Sequence, residues 1–145
     1  MAKLLSKEEE EKIINAIKQA EKETSGEIRV HICSHVKGDV TDAAKKIFEK
    51  LGMHATRLKN GVLIFVALND RKFAVIGDTG IDKAVPENFW NKTVAEMAEK
   101  FAAGKTADAI CTGILTAGEQ LKTYFPYTSD DVNELSDEVS YDDSE

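Results

Sequence analysis

The apolar stretch Val62-Leu63-Ile64-Phe65-Val66-Ala67-Leu68 constrains this chain more than any other feature. Asn60-Gly61 precedes it and the polar turn Asn69-Asp70-Arg71-Lys72 follows. A run with no polar residue reads as a strand buried on both faces, which needs packing partners on each side of its sheet. It is the longest apolar run in the chain and falls well short of the ~20 residues of a membrane-spanning helix. Phe73 to Ile76 then makes the return strand of a hairpin, which Gly77-Asp78-Thr79-Gly80 ends.

The surrounding segments supply those partners. Ser6 and Glu9 form a capping-box pattern, and Ile13, Ile14, Ile17 and Ala20 recur at helical spacing, which predicts a helix from Lys7 to Glu23. Thr24-Ser25-Gly26 breaks it. Glu27 to Val36 then alternates, with Ile28, Val30, Ile32, Ser34 and Val36 on one side, and reads as a strand. After Lys37-Gly38-Asp39, the positions Val40, Ala43, Ala44, Ile47, Phe48 and Leu51 predict a second helix, stopped by Gly52. Pro86 opens a third, carrying Phe89, Trp90, Val94, Met97 and Phe101 and closed by Gly104. Thr106 caps a fourth, with Ile110, Ile114, Leu121 and Phe125 along it. Gly113 and Gly118 weaken that helix intrinsically and predict close approach of a neighbour. The order α-β-α-β-β-α-α gives one parallel crossover and an antiparallel hairpin. The expected fold class is therefore α/β, a Rossmann-like mixed sheet with helices on both faces.

Charge divides the chain. All 19 Lys and Arg lie in residues 1–126, facing 18 of the 26 acids; the other eight acids follow Pro126. Residues 1–126 read as one nearly neutral α/β domain and residues 127–145 as a mobile acidic tail, with Val132, Leu135 and Val139 as the places where it would dock. No basic face stands out, so nucleic acid is not an expected partner. The N-terminus lacks a signal-peptide apolar region, and the expected location is the cytoplasm, without membrane insertion. Cys33 and Cys111 sit in apolar patterns and read as buried, reduced thiols.

Three motif-like arrangements carry little. Asp78-Thr79-Gly80 matches the Asp-Thr-Gly of aspartic proteases, but four helical stretches argue against that all-β architecture. Gly104-Lys105-Thr106 resembles the end of a phosphate-binding loop, yet Glu99 stands where the first glycine belongs and a helix precedes it. His31, Cys33 and His35 share a strand face, but residues four apart on a strand are ~13 Å apart, too far for one metal ion. His54 lies in a loop with nothing to recruit it.

The carboxylates remain. Parallel pairing of the first two strands places Glu27 and Asn60-Gly61 at one end of the sheet, and the hairpin returns Asp78 and Asp82 to that end. Asp39, Asp42, Asp70 and Arg71 fall at the opposite end, beyond the C-terminal ends of the parallel strands, where ligands of open α/β sheets usually bind. Either group offers hard oxygen ligands suited to Ca²⁺ or Mg²⁺. Helix capping and Asx turns are the structural alternative. A single site containing both Asp70 and Asp78 is not expected.

Thr24-Ser25-Gly26-Glu27-Ile28-Arg29-Val30 and Asn60-Gly61-Val62-Leu63-Ile64-Phe65-Val66-Ala67 with Asp70-Arg71-Lys72 resemble the TPM domain family. Gly77-Asp78-Thr79-Gly80-Ile81 and Phe101-Ala102-Ala103-Gly104 fit it too, over about residues 7–125. The family takes its name from thylakoid-lumen, photosystem-repair and receptor-modulating proteins. The resemblance implies a Rossmann-like fold, calcium binding, and an acid phosphatase activity proposed for some members. Glu27, Asp70, Arg71 and Asp78 carry over by motif position, and topology adds Asp39 and Asp82. The expected function is a calcium-binding accessory or interaction domain, a monomer that serves an unidentified protein partner, with Mg²⁺ as the alternative ion. The alternative is a metal-assisted phosphatase acting on phosphomonoesters, with Asp70 and Arg71 as candidate catalytic residues. A signal peptide and a membrane anchor, which many relatives carry, are not expected of this chain.

Overall fold

The computed structural model describes residues 5–56, 58–127 and 139–142. It shows a mixed α/β fold in which four strands, β1 (Glu27–Cys33), β2 (Gly61–Ala67), β3 (Lys72–Gly77) and β4 (Ser140–Asp142), form one sheet in the order β3-β2-β1-β4, flanked by helices.

Helix α1 (Lys7–Ala20) begins as its sequence demands: Ser6 accepts the Glu9 N–H at 3.1 Å and the Glu9 carboxylate accepts the Ser6 N–H at 2.8 Å. These reciprocal bonds satisfy two amides that the helix cannot pair internally. The helix stops three residues before Glu23, and Glu23 N–H donates to Ala20 in the turn that leads out. Strand β1 (Glu27–Cys33) pairs parallel with β2 (Gly61–Ala67), Glu27 opposite Gly61 and Cys33 opposite Ala67. Every residue of β2 is buried, as its uninterrupted apolar sequence requires. Helix α2 (Val40–Lys50) makes the crossover, and β3 (Lys72–Gly77) returns antiparallel beside β2.

The pleat sorts the core into two layers. Ile28, Val30, Ile32, Val62, Ile64 and Val66 meet α1, Met97 of α4 (Asn91–Ala102), and Ile110 and Ile114 of α5 (Thr106–Leu121). On the other face Leu63, Phe65 and Ala74 meet Ala44 and Phe48 of α2, with Met53 beside them. The glycine expectation for α5 holds. A Cβ at Gly118 would lie 2.8 Å from the Ala20 Cβ, and one at Gly113 would lie 2.4 Å from the Met97 sulfur.

Strand β1 ends at Cys33, short of Val36, and other elements also depart from the sequence reading. The segment after β3 is not only a turn: Asp78 caps a short helix, α3 (Thr79–Ala84). The third expected helix starts at Asn91, five residues after Pro86. Thr106 is the first residue of α5 and not its cap; Lys105 holds that place and, among the described residues, makes no side-chain capping hydrogen bond.

Composition places Ser140–Asp142 in an acidic tail, whereas the structure lays them as a strand, β4, parallel to the outer edge of β1. Of the three residues named for docking, Val139 is buried, and Val132 and Leu135 lie outside the described residues. The His31 ring sits 2.8 Å from the Ser140 hydroxyl, and the Tyr141 hydroxyl donates to Glu10 of α1. Lower on the same edge, a Glu21 carboxylate oxygen accepts the Ile28 N–H at 3.3 Å. Together they block a strand edge that would otherwise offer its amides to another chain.

Candidate functional site

The carboxylates fall into two groups at opposite ends of the sheet, as chain direction requires. Strand β3 alone separates Asp70 from Asp78 by ~20 Å, so no one ion touches both.

At the C-terminal end of the parallel strands, Asp39 caps α2. Its Oδ1 accepts the N–H groups of Thr41 at 2.7 Å and Asp42 at 3.3 Å. Asp70 accepts the Val36 N–H on Oδ2 at 2.7 Å, and its Oδ1 lies 2.8 Å from His35 Nδ1. The Val36 hydrogen bond and then the His35 contact hold its carboxyl below the usual range. Arg71 takes a left-handed backbone conformation, φ 55°, and lines a different space. That space is a cleft of 540 Å³ between the hairpin, the end of α4 and the start of α5. The two residues expected to act together in hydrolysis are therefore set to separate tasks, Asp70 bracing two loops and Arg71 facing the cleft.

At the other end, the row Glu27–Gly61–Asp78 crosses the sheet. Glu27 pairs with Gly61, and the Asp78 N–H donates to the Gly61 carbonyl at 2.9 Å. Alternation puts both carboxylates on the α2 face, with a residue lacking a side chain between them. Both are buried, Glu27 to 5% and Asp78 to 8% exposure. One Asp78 oxygen accepts the Thr79 N–H at 2.7 Å, the cap of α3; the other, Oδ2, is buried and makes no hydrogen bond among the described residues. Asp78 stands in the wall of a second cleft, of 650 Å³, whose lining includes Asp82, Glu49, His54 and Lys45. His54, which sequence reasoning left without a role, thus faces the same space as two predicted acids. The fold brings it there through a 3₁₀ turn (Met53–Ala55) after α2, and no spacing in the sequence signals it.

The turn residues at this end hold the elements together. Thr24 Oγ1 donates to the Phe125 carbonyl and accepts the Gly26 N–H at 3.1 Å. The buried Asn60 donates its side-chain amide to Ser25 O at 3.1 Å, and its own carbonyl accepts the Glu27 N–H at 3.2 Å. These bonds tie the start of β1 to the end of α5 and to the loop before β2. Glycine is required at Gly80, where a Cβ would sit 2.3 Å from the Leu58 carbonyl oxygen.

The donor set fits a divalent cation only in part. Asp78 Oδ2 is a hard oxygen without a hydrogen-bond partner among the described residues, and a cation would satisfy it. Also among the described residues, however, no three His, Cys, Asp or Glu side chains converge as a metal-ligating group. No helix of the described residues is long and apolar enough to cross a membrane.

Comparison with known proteins places this geometry in context. No curated protein matches the sequence. Among solved structures, the NMR structure of BA42 protein from the psychrophilic bacterium Bizionia argentinensis is similar at a TM-score of 0.92 and 42% identity, over 98% of each chain. The N-terminal domain of a protein from P. gingivalis shares the fold at a TM-score of 0.68 and 19% identity, over 84% of this chain and 79% of that one. So does the N-terminal domain of cg2496 protein from Corynebacterium glutamicum, at 0.66 and 13%, over 86% and 79%. The family model described as the TPM domain matches residues 1–120, and the chain therefore belongs to the TPM domain family.

Proposed function

We propose that the chain is a calcium-binding accessory domain, with the ion held at the Asp78 end of the sheet. The observation that carries this reading is the buried Asp78 Oδ2, which has no hydrogen-bond donor among the described residues and belongs to a residue in the wall of the cleft shared with Asp82 and Glu49. An unsatisfied buried carboxylate oxygen is costly, and a cation offsets that cost. Asp78 would supply the inner oxygen and Asp82 the outer one. Water fills the rest of the shell, because Ca²⁺ takes six to eight oxygens in flexible geometry and Mg²⁺ demands a stricter octahedron. So sparse a protein donor set favours weak binding, on the order of 10⁻⁴–10⁻³ M. The ion's role is to stiffen α3 and the loop before β2, and so to present that edge to a protein partner. The phosphatase alternative lacks an assembled pair, since Asp70 and Arg71 serve different spaces.

The test is thermal unfolding with Ca²⁺, Mg²⁺ or chelator, for wild type and Asp78→Asn. Ligand at ten times its dissociation constant stabilises the folded state by about 1.4 kcal/mol. Ca²⁺ should raise the midpoint of wild type and leave Asp78→Asn unmoved. No shift at about 10 mM Ca²⁺, ten times the weaker end of that range, overturns the reading.

A further inference from the structure

We propose that the outer edge of β3 binds an extended segment of a partner protein as an added antiparallel strand, with two large apolar side chains in the clefts on either face of that edge. The inference goes beyond the cation reading and does not rest on it. The two edges of the sheet differ. Strand β4 and Glu21 cover the edge of β1, whereas no strand pairs with the outer side of β3 among the described residues. The Asp78 N–H donates to Gly61, so alternation turns the N–H and C=O groups of Phe73, Val75 and Gly77 away from β2. The usual protections of an edge are also missing. Strand β3 has no proline, pairs with β2 one to one without a bulge, and carries a single charge at its start, Lys72.

The walls select the occupant. Phe73 and Val75 pack with the α4 side of the core, Ala74 and Ile76 with the α2 side. A residue added opposite Phe73 therefore faces the 540 Å³ cleft that Phe73 shares with Phe101. One added opposite Ile76 faces the 650 Å³ cleft that Ile76 shares with Phe48. These positions are three apart on the incoming strand, so each large apolar side chain has a cleft of its own. Main-chain bonds supply affinity in this mode, and pockets on alternate faces supply selectivity. Lys72 and Asp78 end one row on the α2 face, which calls for an acid opposite Lys72 and a base opposite Asp78. Asp70, the neighbour of Lys72, is already engaged with Val36 and His35. Antiparallel addition, more stable per residue than parallel, places the base first in the segment and the acid last. A second copy of β3 meets both charges, but it sets Gly77 opposite Phe73 and Ala74 opposite Ile76 and leaves both clefts unfilled. A partner segment with leucine-sized residues at those positions fills them.

The test is a titration of ¹⁵N-labelled protein with the peptide acetyl-Lys-Thr-Leu-Val-Thr-Leu-Glu-amide, whose lysine falls opposite Asp78 and whose glutamate falls opposite Lys72. EDTA is present throughout, so that the Asp78 end is read with its own charge and the result is independent of the Ca²⁺ experiment. The peptide should shift the amide signals of Phe73, Val75 and Gly77 at millimolar concentration. N-methylation of its valine, opposite Val75, removes a donor aimed at β3 and should weaken binding at least tenfold. N-methylation of the following threonine, opposite Ala74, removes a donor that points away and should leave affinity unchanged. Alanine in place of either leucine should weaken binding severalfold. Val75→Pro removes an outward N–H, which an edge strand tolerates, and should fold as wild type and lose the peptide. Absent shifts, or two methylated peptides that bind alike, overturn strand addition. Association of the free protein through the same amides gives the edge to a second copy and overturns the partner assignment.

Discussion

His35 and Asp70 meet across the C-terminal end of the sheet, His35 Nδ1 lying 2.8 Å from Asp70 Oδ1. The second Asp70 oxygen accepts the Val36 N–H. One carboxylate thereby joins the loop after β1 to the turn between β2 and β3, two segments that carry Asp39 and Arg71 at this edge.

That brace should fail in acid. The bonds to the ionised carboxylate lower the folded-state pKa of Asp70 below the ordinary Asp value of about 3.9. Its stability contribution is therefore complete above that value and is lost as pH falls through the lowered folded pKa. Asp70→Asn should be less stable than wild type at neutral pH, and the gap should close towards pH 2 in denaturant unfolding. A gap of constant size across that range contradicts the account.

Gly118→Ala should destabilise the protein although alanine is the better helix former. The gain in propensity is ~1 kcal/mol. Against it, the new methyl would lie 2.8 Å from the Ala20 Cβ and 3.2 Å from its Cα, so α1 and α5 must separate. Overpacking of this kind costs roughly 1–3 kcal/mol. Urea unfolding gives the sign directly, and a stabilised variant rejects the close-packing explanation.

Gly80→Ala should cost more, at or above ~3 kcal/mol. Its methyl meets the backbone carbonyls of Leu58 and Lys59, at 2.3 and 2.5 Å, and a carbonyl in a turn has little room to move. Displacing α3 also displaces the Asp78 cap. Amide exchange should therefore accelerate around Thr79–Ala84 while α1 and α5 stay protected. Uniform acceleration through the domain would show that α3 is not a separate seat.

Ending the chain at Glu138 should cost about 2 kcal/mol, the value of burying one Val. It removes buried Val139, the pairing of β4 with β1, and the Ser140 partner of the His31 ring. Histidine ring signals in the NMR spectrum should shift for His31 and stay in place for exposed His54. Unchanged stability together with an unchanged His31 signal would mean that β4 contributes nothing.

Much of the architecture was legible because it rests on local rules. The Val62–Leu68 run announced a doubly covered strand, Ser6 and Glu9 announced the start of α1, and the direction of the hairpin separated Asp70 from Asp78 by connectivity alone. Helix α3 was hidden by Gly80, which reads as a breaker; the Leu58 and Lys59 carbonyls leave room for nothing larger. Strand β4 was hidden by its acidic surroundings, since three residues with little periodicity pair only because β1 has an open edge.

The candidate sites divide the same way. Residue order settled which acids share an end of the sheet, because strand direction follows from connectivity. Which of them bind their own backbone, which is spent on bracing a loop, and which is buried with an oxygen that no described residue bonds depend on neighbours distant in the chain. Asp70 found His35, 35 residues away, and Asp78 shares a cleft with His54 and Glu49 from the α2 crossover. Sequence periodicity records the face a side chain takes. It holds no record of the partner that face will meet, because packing of separate elements alone sets that distance.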